Sequence, residues 1–327
     1  VANGGNVEND NGYDIIFSSS TDSADILDFE IESYNAVTGE IIAWVKIPSL
    51  LTASDTTIYM LYGDDTIASS QEDAANTWNA NYVGVWHLKE NGNTSANGYV
   101  DSSGNGYHGT GVSMTTSSDV AAKVGLGQDF IHTDPDYINI NYALPQLSAW
   151  TFSAWANVDS QKEEASFIQA DRGGYSQDFL FGVTPETTSL STSKRVAAIH
   201  QRTSDSSRVI AEDTQDIPTG EWHLYHATSN GTNLILYRDG VAVDTDAGSG
   251  SRIIESYNKY CLGNTRNGLA RPIDGKLDEC RVMSDDMTSD WNLTEFNNQN
   301  SPSTFYTMGN EQSGEPGIIS PFPSFLH

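Results

Sequence analysis

The chain has 327 residues and a formal charge of −28, set by 44 acidic against 16 basic side chains. That balance excludes the basic footprint of a nucleic-acid binder and the polybasic patch that an anionic membrane attracts. The sequence has no run of about 18 apolar residues, so no membrane-inserted helix is expected, and two cysteines exclude a disulfide-built scaffold or a zinc cluster.

Taken in chain order, residues 1–80 read as an acidic β-rich domain. The runs "YDIIF", "FEIESY", "EIIAWVKI" and "TTIYMLYG" are β-branched and aromatic, bounded by Ser, Asp, Asn and Gly. Lys46 is the one basic residue of 1–80 against fourteen acids. "AVTG" between the second and third runs predicts a hairpin turn, and Ser69 to Tyr82 predicts a linker or a single helix. The chain opens on Val1 without a leader and reads as a processed or excised segment.

From residue 81 to 312, strand-like runs recur every 8 to 15 residues or so with turn chemistry between them, the pattern of a sandwich. Asp239-Gly240 in "YRDGVAV" predicts a tight hairpin tip. "SDDMTSDWNLTEFNNQN" predicts one helix capped by Ser284. The tail, 313–327, carries three prolines, which forbid a central strand or a helix. It also carries Ile318, Ile319, Phe322, Phe325 and Leu326, so it reads either as a linker or as an arm packing on a neighbouring copy.

The stretch "DSSGNGYHGT", Asp101 to Thr110, starts like an EF-hand, with oxygen-bearing side chains at alternate positions and Gly106 following. Its twelfth position is Val112 rather than Glu, and its flanks are not helical. A tight turn and a calcium site of another kind both remain open. Cys261 in "YCLGN" and Cys280 in "DECRV" would form a cross-strand disulfide if their strands pair, and are otherwise two buried thiols.

Signs of catalysis are missing. The paired-carboxylate strand motif of jelly-roll glucanases does not occur, nor does a nucleophile elbow, a P-loop or a zinc-protease helix. Glu30 and Glu32 share one strand face and read as solvated. His223 and His226 point to opposite faces of a strand, one packed and one exposed. No enzyme is expected.

Several runs occur in a telling order: "YVGVWHLKE", "DSSGNGYHGT", "VGLGQDF", "DYINI", "WTFSAWANV", "EWHLYHAT", "LILYRDGVAV" and "IDGKLDECRV". Over residues 82–310 they resemble the laminin-G-like domains of the concanavalin-A-like jelly-roll class. "NGYDIIFSSS", "FEIESYNAVTGEIIAWVKIPSL" and "DTTIYMLYGD" resemble a β-rich domain of unknown function that precedes such domains in bacterial, archaeal and phage surface proteins. That family has a further strand or two upstream of "NGYDIIF".

The resemblance implies an all-β fold, a concanavalin-A-like jelly-roll sandwich with a smaller N-terminal β-domain. It also implies a structural calcium at the sandwich rim, which places Asp101, Asn105 and Asp278 as its ligands. Thirteen of the sixteen Lys and Arg lie between Lys162 and Arg281. Among them the loop-borne Arg172, Arg202 and Arg266, with Tyr175 and Asn267, are candidates for an acidic or sulfated glycan, or else rim charges that keep a strand edge soluble. Trp86, Trp150, Trp155 and Trp222 sit in apolar runs and read as core.

Two functions follow as expectations. One is an extracellular or cell-surface carbohydrate-binding protein whose partner is a polysaccharide or glycoconjugate. The other is an assembly protein of a surface layer, filament or virion that contacts neighbouring copies of itself.

Overall fold

The computed structural model describes residues 6–50, 54–133, 136–160, 165–171, 177–184, 194–201, 208–247, 253–256, 259–264, 271–311 and 321–323. The chain divides into two compact units, Val1–Asn79 with Asn297–His327, and Ala80–Phe296. The second of these units stops at Phe296, and the residues after it group with the first.

The first unit contains β1 (Ile16–Ser18), β2 (Phe29–Asn35), β3 (Glu40–Val45), β4 (Thr57–Leu61) and the single-turn helix α1 (Ala74–Thr77). β2 and β3 form the expected hairpin. Asn35 Oδ1 accepts the Val37 and Thr38 N–H groups across its turn, and Gly39 closes it at φ 76°. Ile15, Phe17, Leu27, Phe29, Val45 and Ile58 bury their side chains together, with Phe17 and Phe29 edge to face at 5.4 Å.

Glu30 and Glu32 are buried, not solvated as their strand position suggests. Each carboxylate accepts an indole N–H, Glu30 from Trp78 at 2.9 Å and Glu32 from Trp44 at 2.8 Å. α1 is shorter than the expected segment. Asp73 caps it by accepting the Asn76 N–H, and the helix stops after one turn.

The second unit continues with β5 (Tyr82–Trp86), β6 (Gly109–Val112), β7 (Asp119–Ala121), β8 (Leu126–Phe130), β9 (Tyr137–Ala143), β10 (Trp150–Val158), β11 (Ala165–Asp171) and β12 (Gln177–Thr184). It goes on through β13 (Arg195–Gln201), β14 (Arg208–Glu212), β15 (Trp222–Ser229), β16 (Leu234–Arg238), β17 (Val241–Asp246), β18 (Lys259–Leu262) and β19 (Gly275–Met283). These make a seven-stranded sheet, β14-β13-β12-β11-β18-β9-β6, and an eight-stranded one, β17-β16-β15-β10-β19-β8-β7 with β5 also on β19. All the strand pairs within these two sheets are antiparallel.

One core lies between the two sheets, since alternate residues of both contribute to it. Trp150, Phe152, Phe179, Tyr225 and Tyr260 are fully buried there, with Phe152 and Phe179 rings 4.5 Å apart. Burying each such side chain is worth about 1.5–3 kcal/mol. Trp86, Trp150 and Trp155 are buried as expected, while Trp222 is only half-buried. The β16–β17 hairpin turns on Asp239 and Gly240, both at positive φ (53° and 76°), as a two-residue turn of this hand requires.

Helix α2 (Ser289–Asn300) starts five residues after the expected cap. Thr288 Oγ1 accepts the Trp291 N–H, whereas Ser284 donates its hydroxyl to the Asn81 carbonyl. After α3 (Pro302–Phe305) comes β20 (Pro321–Pro323), which pairs with β4 at the edge of the three-stranded sheet β1-β4-β20. An edge is where a strand tolerates proline, because the missing N–H faces away from the ladder. These tail residues thus extend a sheet of their own chain. Among the described residues no helix is long and apolar enough to cross a membrane.

Candidate binding face

The face of the seven-stranded sheet turned away from the core carries one residue per strand in a continuous row. Thr110, Asn139, Cys261, Gln169, Leu180, Ile199 and Ile210 are successive cross-strand partners. Their neighbours along each strand, among them Ile140, Tyr260, Ile168, Phe181 and Ala198, belong to the core, so alternation puts the row on the opposite face. One half consists of hydroxyl, amide and thiol groups. The other half is aliphatic. The middle of the row, Cys261, Gln169 and Leu180, is buried, so only Thr110, Asn139, Ile199 and Ile210 are partly exposed.

Two amides in the row are held in place. Gln169 is 1% exposed, and its Oε1 lies 3.5 Å from the Ser166 hydroxyl. Asn139 donates its Nδ2 to Asn141 Oδ1 at 2.8 Å, while its own Oδ1 is buried without a hydrogen-bond partner among the described residues. The row holds no carboxylate. Charges flank it along the strands, Lys259 and Arg208 toward one end of the sheet and Arg195 with Glu212, 4.0 Å apart, toward the other. The partly exposed hydroxyl and amide of Thr110 and Asn139, and the aliphatic side chains of Ile199 and Ile210, are the kinds of group that meet a sugar's hydroxyls and its C–H face.

The five residues expected to meet an acidic glycan, Arg172, Tyr175, Arg202, Arg266 and Asn267, lie outside the described residues. The strand ends next to them are described. Asp171 pairs with Gln177 and Lys259, and Gln201 with Arg208, at one end of the sheet. β18 runs antiparallel to β11, so Leu262, from which the segment with Arg266 and Asn267 departs, lies toward the other end.

The "DSSGNG" stretch is a turn closed by its own first side chain. Asp101 Oδ1 accepts the Val85 and Ser103 N–H groups at 3.0 Å, and Oδ2 accepts that of Tyr107 at 2.9 Å. Asn105 turns its amide nitrogen to the Tyr82 and Val83 carbonyls. Asp278 lies on β19 and accepts the Val124 N–H at 2.7 Å. Among the described residues, neither Asp101 nor Asp278 joins a cluster of three acidic, His or Cys side chains. Calcium takes six to eight oxygens in one shell, and these three side chains are tied to different backbone segments.

The expected disulfide is absent. Cys261 is on β18 of the seven-stranded sheet and Cys280 on β19 of the eight-stranded one, and both are buried thiols outside any disulfide. Cys280 faces the core, while Cys261 stands in the outer row, so the two sulfurs point away from a common site. Burial pushes the Cys280 thiol well above its ordinary range.

Sequence reasoning missed a buried ionic chain on the eight-stranded sheet. His87 Nδ1 lies 2.7 Å from Glu279 Oε1, and Arg281 joins Glu279 and Glu295 at 2.6 Å each. His226 Nε2 meets Glu295 Oε2 at 2.9 Å. Burial alone would raise the Glu279 carboxyl, but the charges and hydrogen bonds of His87 and Arg281 outweigh it and hold the group below its usual range. The readable signal was "DECRV", three charged residues in a strand that is buried along almost its whole length. His223 and His226 do face opposite ways, His226 fully buried and His223 partly exposed against Asp239.

Residues 132–291 match the family described as the concanavalin A-like lectin/glucanases superfamily, a laminin-G type. Residues 11–87 match a domain of unknown function, DUF2341. No curated protein matches the chain. Among solved structures, domain 4 of AbnA, an extracellular arabinanase from Geobacillus stearothermophilus solved with arabinotriose, is 14% identical. The match covers 65% of this chain and 96% of that one, with a TM-score of 0.51. A botulinum neurotoxin serotype D/C binding domain is 12% identical over 68% of this chain and 53% of its own, at a TM-score of 0.46. A Trypanosoma rangeli sialidase is 13% identical over 68% and 34%, at 0.45.

Proposed function

With a laminin-G-like, concanavalin-A-like sandwich preceded by a domain of unknown function as the premise, we propose that the chain is a non-enzymatic carbohydrate-binding protein of the extracellular space or cell surface. The observation that carries this reading is the outer row of the seven-stranded sheet. Its partly exposed members, Thr110 and Asn139 on one side and Ile199 and Ile210 on the other, supply hydroxyl and amide groups and aliphatic surface. The fold adds support, since a domain of the same class was solved with arabinotriose.

The row is uncharged, which suits neutral sugar hydroxyls, and an acidic or sulfated glycan would draw on Arg172, Arg202 or Arg266 instead. Asp101 closes its turn with protein donors alone. A calcium bound near it is therefore a staple, and glycan binding survives its removal. A glycan array of neutral, uronic-acid and sulfated polysaccharides, run with calcium and with EDTA, tests both statements. Binding that vanishes in EDTA would contradict the second.

β20 favours a second reading. A strand that extends β4 in its own chain can do so in a neighbouring copy, which would make the protein an assembly component. Deleting residues 313–327 abolishes oligomers under that reading and leaves glycan binding unchanged under the first.

A further inference from the structure

The first unit contains a half-open groove of about 600 Å³ that the carbohydrate reading does not use. Its floor is apolar. Ile16 and Leu61 are cross-strand partners on β1 and β4, and Ile26 and Ile67 stand on the flanking segments. Ile26 is 49% exposed, a large aliphatic side chain left to water in a domain that has few to spare. The Tyr62 ring also lines the groove, and its hydroxyl is tied to Glu311 at 2.7 Å.

The rim is acidic. Asp64 and Asp65 line the groove, and among the described residues no Lys or Arg does. A third acid, Asp14, is buried and spends its oxygens on the N–H groups of Glu8, Asn9 and Gly63, so it shapes the wall rather than facing a ligand. Lys46, the one basic residue of the first eighty, is engaged with Asp28 at 3.1 Å and with the Asn76 carbonyl at 2.6 Å. No cation of this segment thus neutralises the rim.

Aliphatic floor, aromatic wall and carboxylate rim together describe a seat for a long alkyl stem ending in a cation. The stem lies on the isoleucines and the charged head reaches the rim, as lysine and arginine side chains do when they bury their methylenes. An aromatic face beside the head adds cation–π attraction. A second copy of this chain, at −28, is repelled at such a rim. We infer that the groove docks an extended, Lys- or Arg-bearing segment of a partner protein.

The test uses the full chain and a fluorescent acetylated hexapeptide of alternating Lys and Leu, with a Glu-Leu counterpart and n-hexylammonium as comparators. Anisotropy should show saturable binding of the Lys-Leu peptide and none of the Glu-Leu one. The double variant Asp64→Asn, Asp65→Asn weakens binding by about tenfold or more. It removes the rim charge, while the amide oxygen that replaces the Asp64 carboxylate can still accept the two Thr66 hydrogen bonds. A control that removes two acids elsewhere, Glu40→Gln with Asp55→Asn, leaves the affinity within about twofold. Ile26→Ser weakens binding without altering the far-ultraviolet spectrum. Three results would overturn the inference: no saturable binding, equal losses in the two double variants, or hexylammonium competing as tightly as the peptide.

Discussion

At the scale of single residues, Arg281 carries the largest electrostatic burden in the second unit. It is 1% exposed and sits between two buried carboxylates, Glu279 and Glu295. Removing one member of a buried ion pair leaves its partners charged and unsolvated, at a cost of about 3–5 kcal/mol. Arg281→Ala should therefore lower unfolding free energy by about that amount in urea titrations. Acid acts on the same chain. Glu279 has its folded pKa below the ordinary value, so the unfolded chain takes up the proton more readily. The stability this contributes is complete above the ordinary Glu range, about 4.3, and is lost as pH falls through the lowered folded value. Urea midpoints measured between about pH 7 and pH 3 should fall in wild type, and less steeply in Glu279→Gln.

Residue roles were the least legible part of the sequence. Glu30 and Glu32 share a face in any strand, but only the placement of Trp44 and Trp78 decides that the face is buried. Cys261 and Cys280 lie nineteen positions apart across a loop, a spacing that a hairpin and a sheet-to-sheet crossing satisfy equally well.

At the scale of elements, β19 shows how an irregularity creates a site. Ser153 opposes Arg281 and Trp155 opposes Asp278, so Ala154 faces two residues, Glu279 and Cys280, in a β-bulge. Glu279 takes the left-handed conformation there, φ 49°. The bulge is what places Glu279 and Arg281 both on the ionic face while Leu277 and Cys280 both face the core. Strict alternation, the basis of reading strands from sequence, has no place for it. The hairpins were legible because Asn35, Asp239 and Gly240 state their turn geometry locally. The start of α2 was not, since Ser284 and Thr288 are both acceptable caps and packing chose the second. Thr288→Ala should cost about 1 kcal/mol by thermal melting, and Ser284→Ala less. Asp101→Ala leaves three backbone N–H groups of a buried turn without their acceptor. It should destabilise the sandwich by about 3 kcal/mol or more, with or without calcium.

At the scale of the whole molecule, the runs of β-branched and aromatic residues made the all-β class readable, and their order pointed to the jelly roll. The row across seven strands was not readable. Thr110, Asn139, Cys261, Gln169, Leu180, Ile199 and Ile210 are spread over more than a hundred positions, and only the sheet order brings them into line. The net charge of −28 adds a further expectation for any acidic polysaccharide: salt should strengthen its binding by screening repulsion.

The most direct test of the carbohydrate reading is a glycan array probed with wild type and with the double variant Asn139→Ala, Ile199→Ala, two partly exposed members of the row, both checked for unchanged melting. The account predicts that wild type binds at least one polysaccharide class and that the variant loses that signal by about tenfold or more. Binding that is undiminished in the variant, or absent from wild type across the array, would contradict it.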